Sequence, residues 1–174
     1  SVSLLAVDGS VTSDVVGQLA QLPSDATHLL ISAGGNNALL QSGFVSEPSQ
    51  SAADVLQRLA NIAEQFAQEY QAMLSTVLRR AIPTTVCTVY DPNFADSTVQ
   101  QLMRAGLVLF NDVILRAAIQ ASVPVIDLRM ICTTPEDYAN EIEPSVVGGA
   151  KIAQAIIRVV TRHDFRQRQT TIYH

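Results

Sequence analysis

Two long helical patterns, each bounded by short runs rich in β-branched residues, constrain this chain more than any other feature. The first spans Ser51 to Arg80 and carries Val55, Leu59, Ile62, Phe66, Met73, Leu74 and Val77 on roughly one side. The second runs from about Ser97 to Ala121, with Gly106 as a weak point in its interior. Between and around them, residues 28–34, Thr84–Tyr90 and Val123–Leu128 read as strands, and Ser3–Asp8 as an earlier one. A shorter helix is expected over Val15–Leu22, capped by Thr12 or Ser13. A last helix is expected over Ser145–Thr161, where Gly148, Gly149, Ala150, Ala153 and Ala155 suit close packing on a sheet. Strands joined by crossovers of this length pair in parallel, with right-handed connections. The expectation is an α/β fold: a three-layer α/β/α sandwich around a doubly wound parallel sheet, flavodoxin-like, in one domain over residues 1–174.

At 174 residues, with 48 % apolar and 16 % charged residues, the chain is long enough for a sizeable core and too apolar for disorder. A formal net charge of −5 argues against a nucleic-acid or anionic-membrane surface. The basic residues Arg158, Arg162, Arg166 and Arg168 fit a solvated face at the end of the last helix, where cations complement the dipole. No run is long or apolar enough to span a bilayer. Cys87 and Cys132 both sit in apolar surroundings and read as buried free thiols, which fits a cytoplasmic protein, with secretion left open by the N-terminus. No metal or cofactor is expected.

The stretch with the most chemical content is Leu29-Leu30-Ile31-Ser32-Ala33-Gly34-Gly35-Asn36-Asn37, an apolar strand that ends in two glycines and two amides. In open α/β sheets ligands bind outside the carboxyl ends of the strands, where this amide pair would lie. Glycine lets the backbone approach a ligand, and an asparagine there can donate two N–H bonds, a combination suited to an oxyanion hole. The same four residues are also ordinary turn chemistry.

Three separated segments together resemble the SGNH, or GDSL-type, family of serine esterases and lipases. Val7-Asp8-Gly9-Ser10-Val11-Thr12-Ser13-Asp14 looks like the family's second block, with Gly9 at its oxyanion-hole glycine. Ser32-Ala33-Gly34-Gly35-Asn36-Asn37 is similar to the third, Gly-x-Asn-Asp, with Asn36 on the oxyanion asparagine and Asn37 in place of the aspartate. Asn140-Glu141-Ile142-Glu143-Pro144-Ser145-Val146-Val147-Gly148 looks like the fifth, Asp-x-x-His-Pro-(Ser/Asn)-x-x-Gly. The resemblance implies hydrolysis of acyl or acetyl esters of a small-molecule substrate. A serine attacks the carbonyl, a base takes its proton, and a glycine N–H and an asparagine amide hold the oxyanion.

The chain departs from that pattern twice. The family's Gly-Asp-Ser block stands some tens of residues before the position of Gly9, so the resemblance predicts a nucleophile and a central strand upstream of Ser1. That piece would come as a separate N-terminal segment or be replaced by a strand from a second subunit. Within the chain, Ser10 is the fallback nucleophile, and its alternative role is a turn residue. In the fifth block Asn140 and Glu143 replace the aspartate and histidine. Glu143 can serve as a general base, although glutamate's ordinary range lies below that of histidine; alternatively it simply opens the last helix. The histidines offer no substitute. His28 enters a strand at its amino end, His174 is terminal and expected to be mobile, and His163 lies about 28 Å past Pro144 along a helix rising 1.5 Å per residue. The competing functions are a non-catalytic domain that binds an acyl or carbohydrate ligand or a protein partner, and a flavodoxin-like nucleotide binder. The last is opposed by the lack of a glycine-rich phosphate loop after the first strand.

Overall fold

The computed structural model describes residues 1–174 and contains four strands and five α-helices. The strands are β1 (Leu29–Ile31), β2 (Thr84–Cys87), β3 (Val125–Ile126) and β4 (Ile172–Tyr173). The helices are α1 (Val15–Gln18), α2 (Gly35–Leu40), α3 (Ala52–Leu78), α4 (Ser97–Ala121) and α5 (Val146–Arg162). The sheet is parallel throughout, in the order β1-β2-β3-β4, with Leu29 opposite Thr84, Val86 opposite Val125 and Ile126 opposite Tyr173.

Alternation along the strands sorts the layers, because successive side chains point to opposite faces. Val86 and Val125 join Phe66, Tyr70, Met73, Leu74 and Val77 of α3 and Phe110, Ile114, Ala117 and Ala118 of α4 in one core. Their neighbours Cys87 and Ile126 face the other way and pack with Ala155 and Val159 of α5. Helices therefore cover both faces, and the expected three-layer α/β/α sandwich is the observed architecture. The long helices start where local chemistry allows. Ser51 Oγ accepts the Asp54 N–H at 3.1 Å to cap α3, and Asp96 accepts those of Thr98 and Val99 to cap α4. Asn111, buried inside α4, does something the helical pattern could not announce. Its amide accepts the Val89 N–H at 2.8 Å and donates to the Val89 carbonyl at 2.9 Å, taking the place of a strand neighbour just beyond β2.

Several local expectations are corrected. Ser3–Asp8 is not a strand: it pairs with nothing, because β1 has β2 on one side and no strand on the other. Leu4 at 86 % and Val7 at 64 % exposure stand in solvent, as does Val2 just before them, and Leu5 is half-buried. The helix expected over Val15–Leu22 is the single turn α1 followed by a 3₁₀ turn, Leu19–Gln21, and neither Thr12 nor Ser13 caps it. Strand β4 is additional to the strands that the sequence pattern predicts. It is held by the Val125 N–H to the Thr171 carbonyl and the Asp127 N–H to the Tyr173 carbonyl, at 2.9 and 2.8 Å. The C-terminus is correspondingly tied down, with Arg158 donating to the His174 carbonyl at 2.6 Å. Both cysteines are buried free thiols, and burial pushes Cys87 up to about 12.

Candidate active site

The carboxyl ends of β1 and β2 open into a cleft of about 310 Å³. Asp8, Ser10, Asn36 and Glu143 line its mouth, and a smaller neighbouring hollow is lined by Gly9, Ser10, Ser32 and Asn36. The segments nominated by sequence thus come together although they lie up to 135 positions apart (143 − 8).

Each arm of the cleft has its own fastening. The turn Val7–Ser10 closes with the Ser10 N–H on the Val7 carbonyl at 3.2 Å, and its third residue, Gly9, takes φ +77°, where side chains are disfavoured. The Asn36 amide donates to the Ser10 carbonyl at 2.8 Å, so this turn and the start of α2 are clamped to each other. One further N–H of that amide is left over for a ligand. Asn37 secures the clamp from beneath. Its oxygen accepts the Thr12 N–H at 3.1 Å, and its NH₂ donates to Thr12 Oγ1 and to Glu69 Oε2 at 3.2 and 3.1 Å. An aspartate here would set a second carboxylate against Glu69, which is a physical reason for the amide. Thr12 is spent on this contact instead of capping a helix.

Gly34, at the junction of β1 and α2, has φ +121°, and a Cβ there would approach Phe66 to 3.0 Å and Ile114 to 3.4 Å. Gly34 therefore lets the turn sink onto the core.

Glu143 sits on the loop before α5, exposed on its solvent side. Asn140 donates to Glu143 Oε2 at 2.8 Å while its own oxygen accepts the N–H groups of Ile142 and Glu143. The residues at the family's Asp and His positions are thus hydrogen-bonded to each other. The loop is pinned to the end of β2 by Tyr90, whose hydroxyl donates to the Ile142 carbonyl at 2.8 Å, and by the Asn93 N–H on the Glu141 carbonyl at 2.7 Å. Ser145 then caps α5 by accepting from Val147 and Gly148.

Ser10 makes no contact with a base; its Oγ accepts from Gln18 Nε2 at 3.1 Å. No histidine lines the cleft. His28 packs edge-on against Phe165, and His163 Nδ1 lies 3.1 Å from the Tyr173 hydroxyl, both away from the mouth. Nowhere do three His, Cys, Asp or Glu side chains gather closely enough to hold a metal ion.

Outside the cleft lining are two buried carboxylates that sequence reasoning missed. Burial pushes Asp127 up, but the Arg129 guanidinium, at 2.8 and 2.6 Å, and the Thr88 hydroxyl, at 2.9 Å, outweigh it and hold the carboxyl below its ordinary range. Asp137, fully buried, is held down by Lys151 at 2.7 Å, against the opposing push of burial, and by the N–H groups of Thr134 and Thr133. Both folded values lie below the unfolded carboxylate value of about 3.9. Their stabilisation is therefore present above that value and lost as pH falls through the folded ones. The melting temperature should stay nearly level from pH 7 to about 5 and drop below about 4, as calorimetry would record; a protein that melted higher at pH 3 than at pH 7 would contradict this sign.

No family model matches the sequence, and no curated protein is similar enough to be matched. Solved structures are similar in fold at low identity. An extracellular lipase from Streptomyces rimosus superposes with a TM-score of 0.59 at 18 % identity, covering 86 % of this chain and 76 % of that one. A phospholipase A1 from Streptomyces albidoflavus NA297 gives 0.62 at 17 % identity over the same shares. An acetylxylan esterase from Geobacillus stearothermophilus, crystallised as a catalytic mutant, gives 0.55 at 18 %, covering 90 % of this chain and 70 % of that one. With its parallel sheet covered on both faces by helices, this chain has an SGNH/GDSL-like hydrolase fold.

Proposed function

We propose that this domain serves a serine hydrolase of ester substrates, with Gly9 and Asn36 as oxyanion donors and Glu143 as the base. The observation that carries the reading is the meeting of Asn36 and Glu143 at the mouth of one cleft, beside the Gly9–Ser10 turn. The lipases and esterases similar in fold support an ester bond as the target. In the reaction a serine Oγ attacks the ester carbonyl carbon and its proton passes to the Glu143 carboxylate. The oxyanion forms against the Gly9 N–H and the Asn36 amide, and Glu143 returns the proton to the departing alkoxide. Water then repeats the cycle on the acyl-enzyme.

The nucleophile belongs to a Gly-Asp-Ser segment outside residues 1–174, inserted as a strand beside β1 or supplied by a second subunit. Its support is the unpaired edge of β1 together with the exposed apolar side chains of Leu4 and Val7, since open edges and bare apolar residues invite a strand. A cytoplasmic location is compatible with two free thiols.

A second reading, a non-catalytic domain binding an acyl or carbohydrate ligand or a protein partner, draws on Ser10 being occupied by Gln18 and on the cleft holding no histidine. A fluorophosphonate probe on the natively purified protein, followed by peptide mapping, separates the readings. Label on a Gly-Asp-Ser peptide is expected, label on Ser10 would move the nucleophile into this chain, and no label would favour the binding domain. In the active protein, Glu143→Gln should lower the turnover of a para-nitrophenyl ester by about 10²-fold or more, the scale of general-base catalysis, with little change in melting temperature. Unaltered turnover would leave Glu143 as a residue of the α5 entrance only.

A further inference from the structure

The cleft is lined by many more residues than the groups that would act on an ester, and its two long-helix walls differ in character from the rest. Asp8 and Glu143 are the only charged side chains in the lining, and every residue that α3 and α4 contribute to it is apolar. Leu59 and Ile62, one turn apart on α3, form one wall, and Met103, Leu107 and Phe110 on one face of α4 form the other. Gly106 lies on that same face of α4 and lines the cleft. A helix-interior glycine is destabilising relative to alanine, so its presence calls for a reason. Packing does not provide one: a Cβ at Gly106 would meet nothing within 4 Å. What a side chain there would occupy is the open space of the cleft.

We infer that the cleft between α3 and α4 receives the aliphatic acyl chain of the ester, that Gly106 sets its width, and that the substrates are medium-chain acyl esters. The proposal deepens the hydrolase reading and rests on it for the position of the ester group. The occupant follows from continuity and chemistry. The apolar gallery walls from α3 and α4 line the same cleft as Asn36 and Glu143, and they offer neither a charged nor a hydrogen-bonding side chain to a sugar or an anion. The whole cleft of about 310 Å³, ester site included, has room for at most about ten methylenes, each taken as roughly the size of a 30 Å³ water.

The test measures kcat/KM of the native protein on para-nitrophenyl acetate, butyrate, octanoate and palmitate. Each methylene that enters the gallery should raise kcat/KM about fourfold, up to roughly octanoate, with no further gain at palmitate. Gly106→Leu should cut the octanoate-to-acetate ratio at least tenfold while the melting temperature holds or rises, because leucine is the better helix former. A ratio unchanged in that variant, or acetate as the best substrate of the native protein, overturns the acyl gallery and leaves the hydrolase standing. Should no ester be cleaved, the hydrolase reading fails on its own, and calorimetric binding of N-methyloctanamide against N-methylacetamide still decides the gallery. Tighter binding of the octanamide that is lost in Gly106→Leu supports it, and equal binding of the two amides refutes it.

Discussion

Gly148→Ala is expected to destabilise the protein by about 3 kcal/mol or more, whereas Gly149→Ala, one residue on, should leave stability level or raise it. Both glycines lie in the first turn of α5, and composition alone treats them alike. The difference is what a methyl group would meet. At Gly149 a Cβ faces open space. At Gly148 it would fall well inside contact distance of the Asp137 carbonyl oxygen and 3.1 Å from its carbon. That carbonyl cannot retreat easily. It accepts the Ser145 N–H at 2.8 Å, and the Asp137 side chain is held by Lys151 and by the N–H groups of Thr133 and Thr134. Relief would require lifting the start of α5 from the sheet, against Ala155 and Val159 packed on Cys87 and Ile126. Overpacking of a rigid backbone contact commonly costs 1–3 kcal/mol and here has no soft neighbour to yield. For a chain of this size the loss corresponds to roughly 6–12 °C in melting temperature. Equal melting temperatures for the two variants would mean that the entrance to α5 is looser than the structure has it. The same contact explains why a glycine ends the fifth block: it admits the carbonyl that aligns the Glu143 loop.

Asn36→Ala should lower ester turnover by about 10²–10³-fold, the usual effect of losing one oxyanion donor. The structural part of the loss is small by comparison. One hydrogen bond, to the Ser10 carbonyl, disappears from a half-buried place, worth about 1 kcal/mol and a few degrees of melting temperature. Asn37→Ala provides the contrast. Asn37 is buried and serves Thr12 and Glu69, so its loss should appear mainly in melting temperature. If Asn36→Ala melted several degrees lower yet turned over normally, the asparagine would be a bracket for the Gly9–Ser10 turn and the oxyanion assignment would fail.

The sequence by itself determined the parts of this protein that local physics can write. The 3.6-residue repeat through Leu59, Ile62, Phe66, Met73 and Val77 marks α3, and the runs at Leu29–Ile31 and Thr84–Cys87 mark two paired strands, because periodicity and side-chain branching act within a few residues. Alternating strands and helices then left few topologies, and the order of the three marked segments brought Asn36 and Glu143 to one cleft. What only the tertiary structure decided depends on partners far away in the chain. Ser3–Val7 has the composition of a strand, but a strand exists through its ladder, and none forms there. Ile172–Tyr173 has almost no pattern of its own and is a strand because β3 offers it an edge. Thr12 had the right chemistry to cap a helix and instead serves an asparagine 25 residues later. Asn111 reads as a defect on the buried face of α4 until Val89, 22 residues earlier, is seen to need both its donor and its acceptor. The reason is common to all four: a backbone or side-chain hydrogen-bonding group is satisfied in space, and sequence distance carries no record of which group will arrive.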